Sequence, residues 1–245
     1  MSKDAKVGLG FLLAALILLP GRDARAVSLS IDVGPVGGVV HLMPTLTETS
    51  PGVFASTGEK MVMGSFDFMW NLQLHSDPSL SGSFTLTNLN SSTQTFSVSA
   101  TLGVAAILGP TLMNGSFGDL TYTDTNDMQV ALDTVGMMPF YQATIDGSSV
   151  QDLGSFHLSA TGSSVGVSGT FSKMSFGTPI PVTGPGVSTS IGVSFPAFQL
   201  TGLDMVQTPF EFAVVVPEPA SLALLGLGLG LGGLLYAGLR KKGRA

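Results

Sequence analysis

The stretch TFSVSATL, residues 95–102, alternates hydroxyl and apolar side chains without a break. A period of two places every second side chain on the same face, which indicates a β-strand with one buried face. A shorter run of the same kind, SFTLT at 83–87, precedes it, and the linker NLNSS at 88–92 is rich in turn formers. We therefore predict that the two runs form an antiparallel hairpin. The predicted buried face contains Phe84, Leu86, Phe96, Val98, Ala100 and Leu102.

The same alternation recurs along most of the chain, with Gly and Pro between the segments. No segment outside the termini has the periodicity of an amphipathic helix. Many short strands separated by turn residues predict an all-β fold, a single β-sandwich or jelly-roll-like domain. The Gly- and Pro-rich stretch 177–186 is interpreted as a long loop within that domain, with a minor domain boundary as the alternative. The further predicted strands lie at 65–74, 128–133, 142–146, 155–160, 165–171, 188–195 and 210–216.

The charges of the chain are distributed unevenly. Residues 27–216 hold 13 Asp and Glu but only two basic residues, Lys60 and Lys173, which gives a formal charge of −11 against −6 for the whole chain. A domain this acidic is unsuited to nucleic acid, because phosphate binding depends on clustered cations. It should also repel anionic polysaccharide and lipid unless divalent cations bridge them. The chain has no cysteine, which excludes cysteine catalysis, cysteine-ligated zinc and iron–sulfur clusters.

Two patterns resemble catalytic motifs but lack their context. Residues 162–166, GSSVG, match the nucleophile elbow G-x-S-x-G, which requires a strand-to-helix turn and a downstream histidine. No histidine follows Ser164, and its flanks continue as a strand. The histidines His41, His75 and His157 are scattered and show no metal-ligand spacing. We therefore predict no catalytic residue, and a non-enzymatic protein.

Two features suggest a ligand, and each has a structural alternative. Asp119, Asp124, Asn126, Asp127 and Asp133 form an oxygen-rich cluster of the kind that binds calcium, but it lacks the EF-hand pattern, and we interpret it as a solvated turn. Trp70, the single tryptophan, could stack on a sugar ring. It shares a strand face with Phe66 and Phe68, however, which favours a place in the core. No cofactor or metal ligand is therefore predicted.

The amino terminus has the layout of a secretory signal peptide. Lys3 and Lys6 precede a 13-residue apolar run at 7–19, and small residues stand at the cleavage-site positions Ala24 and Ala26. We predict cleavage after Ala26, which makes 1–26 the signal peptide. An uncleaved signal anchor is the alternative, because Arg22, Asp23 and Arg25 bring charge into a region that is usually neutral.

The carboxyl terminus has three parts. Pro217, Glu218 and Pro219 come first, and an uncharged apolar stretch follows at 220–239. Twenty residues in a helix span about 30 Å, the thickness of the hydrocarbon core of a bilayer. We therefore predict a transmembrane helix at 220–239. The basic tail that follows should stop transfer and stay on the cytoplasmic side. The stop-transfer residues are Arg240, Lys241, Lys242 and Arg244.

This arrangement over residues 217–245 resembles the PEP-CTERM sorting signal of bacterial envelope proteins. The resemblance rests on the intact Pro-Glu-Pro, the run ASLALLG at 220–226, the Gly/Leu-rich helix and the Arg-Lys-Lys finish. It implies recognition by an exosortase, an integral-membrane enzyme that removes the helix. It also implies attachment to, or release into, the outer envelope or the exopolysaccharide matrix. A plain membrane anchor is the alternative, and the resemblance says nothing about the activity of residues 27–216.

Together these features predict an exported protein with its β-sandwich ectodomain at 27–216, outside the cytoplasmic membrane. Its expected partners are the secretion machinery, an exosortase, the membrane before processing and the exopolysaccharide. The favoured function is structural or adhesive, at the cell surface or in the extracellular matrix of a biofilm. A glycan- or calcium-binding module is the first alternative, and a secreted hydrolase with a site assembled from distant residues is the second.

Overall fold

The structure is a computed structural model, and it describes residues 27–76, 78–107, 111–124, 132–154, 168–171, 174–175, 180–182 and 188–215. The signal peptide at 1–26 and the sorting signal at 217–245, predicted from the sequence, lie outside these residues. Within the described residues, no helix is long and apolar enough to cross a membrane.

The described residues form two antiparallel sheets and one 3₁₀ turn, Val135–Met137, with no α-helix among them. Sheet I contains β1 (Ser28–Pro35), β2 (Val40–Leu42), β7 (Gln94–Ile107), β10 (Asp133–Thr134), β11 (Tyr141–Ile145), β12 (Ser148–Leu153) and β16 (Ser188–Leu200). Sheet II contains β3 (Thr47–Ser50), β4 (Val53–Val62), β5 (Phe66–His75), β6 (Ser79–Asn88), β8 (Thr111–Phe117), β9 (Leu120–Thr123), β13 (Ser168–Phe171), β14 (Met174–Ser175), β15 (Ile180–Val182) and β17 (Met205–Val215).

The order of strands explains how the sheets are built. In sheet I the order is β12-β11-β16-β7-β1-β2, with β10 beside β16. In sheet II it is β13-β9-β17-β6-β5-β4-β3, and β8 pairs with the second half of β17 and with β14 and β15. The all-β prediction is confirmed. The predicted strands at 65–74, 142–146, 188–195 and 210–216 correspond to β5, β11, β16 and β17.

Three other predicted strands lie partly or wholly outside the described residues. Of the segment predicted at 165–171, the described part forms β13 from Ser168. Of the segment predicted at 128–133, residues 128–131 lie outside the described residues, Leu132 is in no strand, and Asp133 begins β10. The segment predicted at 155–160 lies outside the described residues. Inside the predicted loop at 177–186, residues 180–182 form a short strand that pairs with β8, so this part of the stretch belongs to sheet II.

The predicted hairpin at 83–102 is wrong, although its buried face is right. All six side chains assigned to that face are at most 5% exposed. However, β6 pairs with β5 and β17, whereas β7 pairs with β1 and β16 in the other sheet. The linker 89–93 therefore crosses from one sheet to the other instead of closing a turn within one sheet.

The side chain of Asn88 holds this crossing in place. Its amide nitrogen lies 2.9 Å from the carbonyl oxygens of both Ser92 and Leu200 and 3.0 Å from that of Thr201. Its side-chain oxygen accepts the backbone N–H of Asn90 at 2.9 Å. Asn88 is fully buried, so these contacts satisfy polar groups that water does not reach.

Aromatic rings from both sheets interlock to form the core. Phe195 of β16 meets Phe84 of β6 edge-on, with ring centroids 4.9 Å apart, and meets Phe210 of β17 at 5.8 Å. On its own side it contacts Phe140 at 5.1 Å and Tyr141 at 5.7 Å. Edge-to-face pairs at these distances add to the free energy gained by burial. Face-to-face packing of two apolar inner faces makes the fold a β-sandwich.

Tyr141 also links the sheets by a hydrogen bond. Its hydroxyl donates to the carbonyl oxygen of Glu211 in β17, at 2.8 Å. Burial of the phenol, and secondarily the negative charge of Glu211, raise the pKa of Tyr141 far above its usual value of 10. The phenol therefore stays neutral in the folded protein at any pH at which the fold is normally studied.

This raised pKa predicts a loss of stability in alkali. Below pH 10 Tyr141 is neutral in both states, but above pH 10 it ionises only in the unfolded chain. Its share of the free energy of unfolding should then fall by about 1.4 kcal/mol per pH unit. Urea unfolding at several pH values between 8 and 11.5 measures how steeply the free energy of unfolding falls with pH. In Tyr141→Phe this fall above pH 10 should be shallower by about 1.4 kcal/mol per pH unit. A slope in Tyr141→Phe equal to that of the parent protein would contradict the assignment.

The strands run between two ends of the sandwich, which we call the base and the tip. The base holds Ser28, where β1 begins, and Val215, where the described chain ends. The tip holds the far ends of the same two strands, since β1 reaches Pro35 there and β17 starts at Met205. Phe66, the first residue of β5, and Phe96, near the start of β7, lie in contact across the sheets at the tip, with ring centroids 6.2 Å apart. Eleven residues of β17 separate tip from base by about 33 Å.

Candidate functional site

A row of polar side chains crosses the outer face of sheet I. Strand pairing places one residue of each of six adjacent strands side by side, and we call this set the polar row. Its members, in order across the sheet, are His41, Asp32, Ser99, Ser194, Gln142 and Asp152. Because alternate residues of these strands point into the core, the row faces away from it.

At one edge of the polar row, Asp32 and His41 form a close pair. The Nδ1 atom of His41 lies 2.6 Å from Oδ1 of Asp32, and the two side chains are 59% and 47% exposed. Ser99 lies on the other side of Asp32, so two strand spacings, or about 10 Å, separate its Cα from that of His41. The order His–Asp–Ser thus differs from the nucleophile–His–acid order of a serine hydrolase. This geometry suits hydrogen bonding to a ligand better than acyl transfer.

At the other edge, Asp152 has its orientation fixed by two neighbours. Gln142 donates from Nε2 to Oδ1 of Asp152 at 3.1 Å, and Ser149 donates its hydroxyl to the same oxygen at 2.7 Å. The second carboxylate oxygen of Asp152, which is exposed, can accept a hydrogen bond from outside. Both edges therefore present an oriented carboxylate to solvent.

Trp70 lies on the inner face, as predicted, and not on an outer platform. Its ring stacks on Phe68 with centroids 5.7 Å apart, and its Nε1–H donates to Oγ of the buried Ser56 at 3.2 Å. The ring also covers Gly58, the residue opposite it in β4, so closely that a Cβ at Gly58 would overlap it. None of the large apolar side chains that stand exposed among the described residues is aromatic.

The acidic cluster is described only in part. Asp119 is exposed in the connection between β8 and β9, and Asp124 is buried directly after β9, both next to sheet II, whereas Asp133 is in β10 of sheet I. Asn126 and Asp127 lie outside the described residues. In the part of the chain that the structure describes, no three His, Asp or Glu side chains are grouped so that they could hold a metal ion.

The other candidate residues lie far from the polar row or outside the described residues. His75 ends β5 near the base, far from the His41–Asp32 pair. His157 and Ser164 lie outside the described residues. So do the cleavage-site residues Ala24 and Ala26, the sorting motif Pro217, Glu218 and Pro219, and the basic tail from Arg240 to Arg244.

The tip carries a second candidate site, which has both apolar and polar residues in its lining. A groove of about 520 Å³ opens on its sheet I side, between the β1–β2 turn and the 3₁₀ turn. A register shift between Phe195 and Phe198 bends β16 here and brings Ala197 to the groove. The groove is lined by Pro35, Val36, Val135, Met138, Ala197 and residues 93–95.

Neither site was predicted from the sequence. Asp32 and His41 are nine residues apart, a spacing with no meaning until β1 and β2 pair. One signal was available: SLSIDV at 28–33 alternates and ends at PVGG, a turn sequence. A hairpin at 28–42 would have placed Asp32 and His41 on one face.

The comparisons with known proteins leave the family open. No protein-family description matches the chain, and no curated protein matches it. Among solved structures, a CBM3a-L domain from the scaffoldin cipA of the Clostridium thermocellum cellulosome is similar over 76% of this chain and 66% of that chain, at 12% identity and a TM-score of 0.22. A galactose mutarotase related enzyme from Lactobacillus acidophilus is similar over 76% of this chain and 78% of its own, at 9% identity and a TM-score of 0.26. These likenesses are too distant to support an argument about fold or function.

Proposed function

We propose that this chain is a non-enzymatic exported protein that an exosortase sorts through Pro217, Glu218 and Pro219. Its jelly-roll-like ectodomain at 27–216 then serves a structural or adhesive role at the cell surface or in the biofilm matrix. In this proposal a signal peptide directs export, and the helix at 220–239 anchors the chain in the membrane until it is processed. The exopolysaccharide is the expected surrounding of the mature protein.

The observation that carries the proposal is the carboxyl-terminal sequence, with its motif, apolar stretch and basic tail in the expected order. The position of Val215 at the base supports it. A chain that leaves the sandwich there can reach the membrane without crossing the domain, and the tip then faces away from the surface that carries the protein.

Mass spectrometry of terminal peptides from the native host, with and without its exosortase, tests this function. We expect a mature chain that begins at Val27 and ends near Pro217 only when the enzyme is present. Replacing Glu218 by alanine should leave residues 240–245 in place even in the presence of the enzyme, whereas Glu211→Ala, in the adjacent strand, should be processed normally. Residues 240–245 retained unchanged in both strains would contradict the proposal and leave a plain anchored domain.

The polar row favours one alternative, a glycan-binding module. Carboxylate, amide, imidazole and hydroxyl groups on one outward face match the hydrogen-bonding groups of a sugar chain. The aromatic platform on which such modules often stack a sugar is not among the described exposed residues. Retention of the purified protein on the exopolysaccharide of its host, lost in Gln142→Ala, would favour this alternative.

A further inference from the structure

The last residues of β17 are held by strands on both sides. Ala213 pairs with Ser79 of β6 and with Asn114 of β8. The backbone N–H of Val214 donates to the carbonyl oxygen of Pro78 at 2.8 Å. The side chain of Val214 is only 3% exposed and belongs to the core of the sandwich. The strand is therefore part of the folded sheet as far as its carboxyl end.

Very little chain lies between this strand and the proposed sorting motif. The ladder with β8 extends to Val215, and only Val216 separates it from Pro217. Proline has no N–H with which to continue a ladder, so the motif begins where the sheet ends. The four residues 216–219 span at most about 14 Å when fully extended. In the proposed function, the helix at 220–239 therefore holds the base of the sandwich close to the membrane.

An enzyme needs more room than this short connection gives. The headgroup layer on one side of a bilayer is about 6 Å thick, and a single α-helix with its side chains is about 10 Å across. Together they exceed the span of residues 216–219. An exosortase that cuts near Pro217 must also hold the residues on both sides of the bond that it breaks. Release of residues 213–215 from the sheet would add about 10 Å of chain.

We propose that residues 213–215 form a gate, which must leave the sheet before the exosortase can bind the sorting motif. The gate ends at Ala213, because the strand before it is firmly held. Tyr141 donates its hydroxyl to the carbonyl oxygen of Glu211, and Phe212 is fully buried. Local opening of this kind costs less free energy than unfolding of the whole domain. When opening is fast relative to cleavage, the rate of cleavage follows the population of the open form.

The gate rests on the proposed function, and it makes the rate of processing depend on one end of β17. Val214→Ala removes part of the buried side chain of the gate, so processing should become about threefold faster or more. Val206→Ala removes the same methyl groups from a fully buried residue near the tip, which stays packed when the gate opens. Its rate should not change. Pulse labelling in the native host, followed by loss of residues 240–245, measures both rates, and equal rates in the two variants would overturn the proposal.

The absence of cysteine from the chain allows the gate to be locked by a disulfide. Ala213→Cys with Asn114→Cys joins two residues that face each other in the ladder of β17 and β8, at a separation that a disulfide spans. The oxidised pair should slow processing by about tenfold or more, and a reductant should restore the parent rate. The control lock, Gln207→Cys with Thr121→Cys, joins β17 to β9 near the tip and should leave the rate unchanged.

A longer connection to the motif gives the decisive test. Six Gly and Ser residues inserted between Val216 and Pro217 add about 20 Å of chain, so the motif no longer depends on the gate. The oxidised lock with this insertion should be processed within about twofold of the parent rate. A lock that does not slow processing, or that the insertion does not rescue, would overturn the gate and leave sorting intact. A parent chain that is never processed would contradict the proposed function, and the gate with it.

Discussion

Replacing Phe195 by alanine should lower the free energy of unfolding by about 3–5 kcal/mol, the largest effect expected of any single truncation in the described core. Phe195 is 1% exposed, and its ring touches aromatic rings of both sheets. Alanine leaves a cavity at the place where the sheets meet, and the neighbouring rings are too rigid to fill it. Since whole domains are stable by only about 5–15 kcal/mol, this variant loses a large share of its stability.

Urea unfolding followed by the fluorescence of Trp70 measures the loss. Phe195→Leu, which keeps much of the volume, should lose only about 1.5 kcal/mol. Phe54→Ala is the matched control, because Phe54 is only partly buried in β4. Equal losses at Phe195 and Phe54 would mean that the sheets do not depend on the central aromatic cluster.

We expect the second large effect from Asn88→Ala, which should lower the free energy of unfolding by about 3 kcal/mol. The substitution removes the amide that the carbonyl oxygens of Leu200 and Thr201 contact, and it leaves the N–H of Asn90 without its side-chain acceptor. Buried polar groups that lose their partners carry a penalty of about 1–3 kcal/mol each. The loss should be accompanied by faster proteolysis within 89–93, where the chain crosses between the sheets.

The matched control is Asn71→Ala in the neighbouring strand. Asn71 is exposed on the outer face of sheet II, so its removal should change the free energy of unfolding by less than about 0.5 kcal/mol. Urea unfolding compares the two variants, and limited proteolysis locates the weakened segment. A loss at Asn88 no greater than that at Asn71 would show that the crossing is held by other contacts.

The sequence predicts which way the side chains of this protein point much better than it predicts which strands are neighbours. Residues 95–102 have their apolar side chains inside because the pleat of a strand fixes a period of two. Neighbouring strands are chosen by contacts between distant residues. The partners of Asn88 include Leu200 and Thr201, more than 100 positions away. No local pattern contains that information, so the turn-rich linker at 88–92 predicts a hairpin although the chain there crosses between the sheets.

The same limit applies to the candidate sites. The sequence predicts the place of Trp70 correctly because its own strand shows the pattern, with Phe66 and Phe68 on the same face. The polar row draws one residue from each of six strands, and the groove at the tip needs a register shift in β16. Both depend on the order of strands, so they become visible only once the sheets are assembled.

The course of β17 has a mechanical consequence. A chain held at its carboxyl end and pulled at the opposite end of the sandwich carries the load along this strand. Its ladder with β6 extends from Met205 to Ala213, and the ladder hydrogen bonds lie perpendicular to the strand. The load therefore acts on these bonds together, in shear, instead of breaking them one after another as in peeling. A domain with this geometry resists extension along β17.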